Sequence, residues 1–379
     1  MDFALSDNQK NIIATFREFG ESVFTPESVF QWRKDQGLPD EVVKGFVDRY
    51  FALDDQSPDG MGIMSQTLIL EELCRCAGAA LPFQNDLFNL QIMGGFADET
   101  VSSRVLDDYR QTGRLMFSLG VSEPNAGSDA ASARTKAIID GDDYVINGSK
   151  CFISNMGEDE GDYVILIALT DPAKKTKGMS AIIVDRGTKG FSIGKVEDKM
   201  GLRAAPVSEL IFDDCRVPKT QLLGKEGRGF MIAMAGLDGG RIGMASQGVG
   251  VAEGALEAAV EYSKQRVQFG KPINANQGLQ WYLADMATRT EAAKMLTLNA
   301  ADRRQHGENI GKLAAMAKYY ASENAVYVAH KSLQIHGGYG YMKDYAIERM
   351  YRDARIIPLY EGTSEVQKMV ISRAVIDGK

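Results

Sequence analysis

Hydrophobic positions change their spacing twice along this chain. Up to about residue 115 they recur with a helical period. Ile12, Ile13, Phe16 and Phe19 form one stripe, with Asp7 placed to cap the helix that carries it. Leu68, Leu70, Leu73 and Ala77 mark another helix, expected over 64–80. From about Phe117 the period shortens. Asn147-Gly148 stands between two short alternating runs, Tyr144–Ile146 and Ser149–Ser154, and predicts a hairpin turn. Apolar runs follow at 163–168, 179–184, 191–193 and 209–212, separated by Gly, Asp and Lys turns. After Gly229 the helical period returns, and helices are expected over 249–265, 279–304, 310–335 and 365–376. The longest have the length of helices in an antiparallel bundle. The pattern predicts a mainly α protein with a central β domain. Its parts are a helical stretch over 1–116, a β unit over 117–226 and a helical bundle over 227–379.

Composition narrows the function. The 379 residues are 44% apolar and 25% charged, which excludes disordered, collagenous and coiled-coil classes. A net charge of −8 argues against a nucleic-acid partner, which would demand a basic footprint. No apolar run reaches the length of a membrane span, and Met1–Asp7 has neither a basic nor an apolar stretch of a signal peptide. Four cysteines without a C-x-x-C spacing read as free thiols, so a cytoplasmic location is expected. With only three histidines, no metal site is expected, and chemistry falls to carboxylates, backbone and a bound cofactor. His330 shares a face with Val326, Ala329 and Leu333 and reads as a packing residue. Gly248-Val249-Gly250-Val251-Ala252-Glu253-Gly254 resembles a dinucleotide motif, but it follows a helical stretch rather than a strand, so close helix packing explains it better.

Four segments have compositions that a plain scaffold does not require. Ser122–Asp129 is a polar, turn-rich loop whose hydroxyls and N–H groups suit a polar ligand edge; an ordinary loop reads similarly. Arg266–Pro272 sets a cation, an amide and an aromatic ring in a turn, suited to phosphate and ring contacts or to a solvated interhelix turn. Gln334–Tyr341 has three glycines where one would end a helix, as if the backbone must approach something closely. Leu359–Glu365 leads into the last helix. There the macrodipole favours an ionised Glu361, as a base or as an ordinary acid of the first turn.

In this order, and over essentially the whole chain from Asp2-Phe3, these segments resemble the acyl-CoA dehydrogenase family. The resemblance implies an N-terminal helical domain, a β-barrel or sandwich domain and a C-terminal four-helix bundle. It implies noncovalent FAD, an acyl-CoA substrate, a homotetramer built as a dimer of dimers, and electron-transferring flavoprotein as partner. Glu361 matches the catalytic base, which takes the α-proton while the β-hydride passes to flavin N5. Leu119, Val121, Ser122, Gly127 and Ser128 match the flavin loop, and Phe152, Ile153 and Ser154 the segment packing on the ring, with Phe where Trp is frequent. Arg266, Gln268, Phe269 and Gln277 match contacts made to a neighbour's FAD. Gln334, Ile335, Gly337 and Gly338 match the pyrophosphate and adenosine contacts, and Thr363 and Glu365 the remaining ones. Ser128, Asp238, Arg241, Tyr360 and Gly362 match the substrate side.

Some branches carry their base just before the arginine matched by Arg241; here Gly240 stands there. The stretch 51–62 departs from the family's usual Pro-Glu-Glu-Tyr-Gly-Gly-like loop. The segments 147–154 and 265–270 are similar to those of crotonobetainyl-CoA reductase-like members, so an enoyl-CoA reductase is the alternative to a dehydrogenase. A flavin-free scaffold protein is a further alternative.

Overall fold

The computed structural model describes residues 4–25, 27–29, 31, 37–57, 60–115 and 117–378. The expectations attached to Met1–Phe3, to Pro58 and Asp59, and to Met116 at the first boundary lie outside the described residues.

Helices α1 (Asp7–Val23), α2 (Asp40–Asp54), α3 (Ile63–Ala77), α4 (Phe83–Phe96) and α5 (Glu99–Thr112) build the first part. The cap of α1 is Ser6, not Asp7. Ser6 Oγ accepts from Gln9 N–H while the Gln9 side chain accepts from Ser6 N–H, a reciprocal pair that Asp7 cannot form. Ile12, Phe16 and Phe19 turn into the core. Helix α3 stops three residues before the expected Ala80, because Gly78 takes φ +57° and reverses the chain.

Eight strands follow: β1 (Phe117–Gly120), β2 (Lys136–Asp140), β3 (Asp143–Ser154), β4 (Tyr163–Leu169), β5 (Met179–Asp185), β6 (Phe191–Val196), β7 (Val207–Pro218) and β8 (Leu222–Leu223). Their order is β6-β7-β3-β2-β4-β5-β8, with β1 on β4. The β2–β4 link is a single pair, Lys136 with Leu169, so the sheet divides into halves that share a core of Ile146, Val164, Leu166, Ile182, Val184, Leu210 and Phe212. The expected hairpin at Asn147-Gly148 does not form. Residues 144–146 already pair with β2 and β7, so they cannot fold back on 149–151. Asn147-Gly148 instead makes a bulge inside β3, where the register to β7 slips. The Asn147 amide clasps Asp214 there, and a Cβ on Gly148 would press on Thr135. The actual tight turn is Gly141-Asp142, with Gly141 at φ +62°.

The last part holds α6 (Gly229–Gln265), α7 (Gln277–Gln305), α8 (Gly311–His336), the short α9 (Ile347–Ala354) and α10 (Ser364–Ile376). Helix α6 runs 37 residues and starts well before the expected Val249, because most of its surface is enclosed and no single stripe marks it. The glycine motif packs helices. A Cβ on Gly250 would strike Glu71 O of α3, one on Gly254 would come within 2.6 Å of Arg75 O, and one on Gly248 within 2.9 Å of Ala321 O of α8. His330 is exposed rather than packed, 6.0 Å from the Tyr351 ring. Among the described residues no helix is long and apolar enough to cross a membrane. Gly250→Ala is expected to lower the urea midpoint, at a cost of about 1–3 kcal/mol, since the colliding atom is backbone and cannot rotate away.

Candidate active site

Glu361 sits in the turn between α9 and α10. Its φ of +49° and the +91° of Gly362 swing the carboxylate off the line of α10, whose cap is Thr363. The side chain reaches α6. A Cβ on Gly240 would fall on Glu361 Oε2 and lie 3.0 Å from the Phe88 ring. Any larger residue at 240 would therefore occupy the place that the carboxylate takes. Oε2 is buried and has no hydrogen-bond partner. Burial pushes the Glu361 carboxyl up to about 7, against the pull of the Lys318 and Arg241 cations. The helix N-terminus expected to favour the ionised form is outweighed, since the carboxylate turns into the bundle.

The turn is held from several sides. Lys318 Nζ donates to Gly362 O at 2.8 Å, and Gln367 Nε2 donates to the same oxygen at 2.9 Å. Tyr360 O–H donates to Gln247 Oε1 at 2.5 Å, and Gln247 Nε2 donates to Leu81 O at 2.7 Å. Arg241 pairs with Asp238 one turn back on α6 and leaves its Nε buried and unpartnered. Gln84 Nε2 donates to Gly240 O at 3.3 Å. So Glu361, Tyr360, Gly362, Asp238 and Arg241 gather in one place. Lys318, Gln247 and Gln367 join them unforeseen. The one signal for Lys318 was a lysine inside the alanine stripe Ala314, Ala317, Ala321 and Ala325.

A second group lines a cleft of about 450 Å³. Arg266 and Gln268 face Ile335, Gly337 and Gly338 across it. No atom lies within 4 Å of where a Cβ would stand on Gly337 or Gly338, so their bare backbone borders open space. Arg266 lies 5.3 Å from the Tyr339 ring centre. Between the short pairs 267–268 and 271–272, Phe269 and Gly270 take φ +52° and +76°, and Phe269 is 99% exposed. Gln334 and Gln277 are exposed as well.

The third group belongs to the β domain. Glu123 accepts from Arg134 N–H at 2.6 Å, from Thr135 N–H at 2.9 Å and from Lys150 Nζ at 2.8 Å. Lys150 is fully buried and also donates to Val121 O at 3.0 Å. This pair anchors the loop that exposes Gly127 and Ser128. Cys151 N–H, donating to Ser122 O at 3.0 Å, ties the loop to β3, while Leu119 and Val121 are half-buried. Phe152 takes φ +58° and is 70% exposed, Ile153 is buried, and Ser154 O accepts from Asn85 Nδ2 and Ser118 Oγ. Thr363 caps α10, and Glu365 is exposed in its first turn. No hydrogen bond among the described residues joins this loop to the cleft.

The profile described as "Acyl-CoA dehydrogenase, C-terminal domain" matches residues 227–376, and that described as "Acyl-CoA dehydrogenase, middle domain" matches 118–215. The chain is 44% identical to the acryloyl-CoA reductase (NADH) of Anaerotignum propionicum, over 99% of this chain and 96% of that one. It is 42% identical to the short-chain specific acyl-CoA dehydrogenase of Clostridium acetobutylicum, over 98% and 99%. A chain solved in work on the electron-transferring flavoprotein of Acidaminococcus fermentans and electron bifurcation superposes with a TM-score of 0.94, at 41% identity, over 99% and 100%. The structure of PigA with FAD and proline superposes at 0.91, with 26% identity and both chains fully covered.

The burial of Glu361 predicts a pH signature of stability. Its folded value, about 7, lies above the ordinary 4.5, so the protonated form is favoured by folding. That contribution is complete below about pH 4.5 and is lost as pH rises through about 7. Glu361→Gln is therefore expected to gain stability relative to the parent on going from pH 4.5 to pH 8, on the order of 3 kcal/mol. Chemical denaturation at the two pH values checks it; an equal difference at both would contradict it.

Proposed function

The chain belongs to the acyl-CoA dehydrogenase family of oxidoreductases, and on that premise we propose that it interconverts a short acyl-CoA thioester and its trans-2-enoyl-CoA with Glu361 as the base. The observation that carries this reading is the Glu361 carboxylate, buried, unpartnered at Oε2 and poised near neutrality. A base with those properties matches the operating pH and spends no energy breaking an existing hydrogen bond. Glu361 takes the proton from the carbon next to the thioester carbonyl, the electron pair of that C–H bond becomes the new double bond, and the β-carbon gives up its hydrogen with the bonding pair as a hydride, which FAD would accept. Arg241 and Lys318 hold positive charge nearby as the carboxylate cycles between its forms. Phe88 and Gln84 press on the glycine face of α6, which supports a small acyl group, as do the short-chain relatives.

The cleft suits FAD. Arg266 is a bidentate partner for phosphate, and the open backbone of Gly337 and Gly338 admits close approach. Bound there, FAD supplies the two-electron exchange that the side chains lack. Gln334 and Ile335 would hold the same part, and Thr363 and Glu365 the remainder. Leu119, Val121, Ser122, Gly127, Ser128, Phe152, Ile153 and Ser154 would meet its ring edge. Phe269 and Gln277 are exposed near the cleft edge that Arg266 and Gln268 line, which supports contacts to the FAD of a second copy and a tetramer built from dimers. Ser128 and Asp238 would face the CoA thioester. Electron-transferring flavoprotein is the proposed electron partner, supported by the Acidaminococcus relative. Four free thiols suit a reducing cytoplasm.

The reductive direction is the second reading, favoured by the acryloyl-CoA reductase relative. Glu361 serves both, since the protonated carboxyl returns the proton in reverse. Purified protein is expected to be yellow; a preparation that stays colourless with added FAD would favour a scaffold. Glu361→Gln is expected to keep the flavin spectrum and to lose about 10²-fold or more in turnover of butyryl-CoA with an artificial acceptor. Near-normal turnover would remove Glu361 as the base. Arg266→Ala is expected to weaken FAD retention on gel filtration, with the fold preserved by circular dichroism. Assays of butyryl-CoA oxidation and crotonyl-CoA reduction, with oxidised and reduced carrier, decide the direction.

A further inference from the structure

Lys318 is fully buried among the alanines of α8. A buried lysine is uncommon, because an ammonium taken out of water is costly unless its charge is used. Its visible hydrogen bond is to Gly362 O, the carbonyl directly after Glu361. Gln367 already donates to that oxygen, so a neutral amide suffices to satisfy it. The hydrogen bond alone does not explain a cation.

The charges around it do. Of the ionisable groups acting on Lys318, Glu361 comes first, ahead of Arg241 on α6, Glu323 on α8 and Glu365 on α10. Of those acting on Glu361, Lys318 comes ahead of Arg241. Arg241 is already committed to Asp238. Each of the two buried groups is thus the other's foremost charge. We propose that Lys318 is a positioning residue for the catalytic carboxylate: it locks the Glu361–Gly362 turn through the Gly362 carbonyl and supplies the buried positive charge against which Glu361 ionises. The turn needs such a lock, since Glu361 holds φ +49° without being glycine. Burial draws Lys318 down to about 8 and pushes Glu361 up to about 7, and each charge offsets part of the other's burial penalty.

The proposal rests on Glu361 as the base, and its test separates the two. In the FAD-loaded enzyme with butyryl-CoA, Lys318→Gln keeps a donor for Gly362 O and removes the charge, whereas Lys318→Arg keeps the charge. The acid limb of the kcat/KM pH profile is expected to move up by roughly half a pH unit or more in Lys318→Gln and to stay in place in Lys318→Arg. A merely structural lysine would lower the rate without moving the limb. An unmoved limb in Lys318→Gln overturns the proposal. A stability cycle at pH 8 covers poor folding and does not depend on turnover. Glu361→Gln is expected to stabilise the Lys318→Met background more than it stabilises the parent, because only the former holds an uncompensated buried carboxylate. An equal effect of Glu361→Gln in the two backgrounds also overturns the proposal. Normal turnover of Glu361→Gln would instead sink the base assignment and leave the cycle to report the coupling.

Discussion

The structure turns on one buried carboxylate. Glu361 can lie against α6 only because residue 240 has no side chain, and it can stay there only because burial is balanced by nearby cations. Desolvation alone would leave a permanently protonated acid. Cations alone, in water, would leave an ordinary carboxylate of little basicity. The combination places the group where a proton can be taken and returned near neutral pH.

That placement explains features that look unrelated in the sequence. Gly240 and Gly243 clear space on α6 for Glu361 and Gln84, while Gly250 and Gly254 bring α3 against the same helix. Gln247 connects the Tyr360 hydroxyl to the Leu81 carbonyl between α3 and α4. The Glu361 turn is thereby tied to elements far apart in the chain. The β domain uses the same device on its own loop, where the buried Lys150–Glu123 pair fixes Ser122–Asp129 from beneath and leaves its tip exposed.

Much of the fold was legible because periodicity reports which face is buried. The stripe at Ile12, Phe16 and Phe19, the β runs and the long bundle helices all appear near their predicted places. The failures have a common origin. Asn147-Gly148 carries the local chemistry of a turn, yet its flanking residues found partners in β2 and β7, and a bulge resulted. The first half of α6 shows no stripe because it is enclosed on most sides, and a helix without a polar face has no period to read. His330 shares its spacing with apolar neighbours but falls at the rim, because spacing does not show how wide the contact is.

The site divides the same way. The sequence by itself determined the order of the chemical segments, the candidate base and the excess glycine of Gln334–Tyr341, since these depend on residue type and local chain conformation. Only the tertiary structure decided which groups share a field. Lys318 lies 43 residues before Glu361, and Gly240 precedes it by 121, so no local pattern joins them. Burial and charge act through space, and it is the packing of α6, α8 and the last turn that leaves the Glu361 carboxyl poised near neutrality.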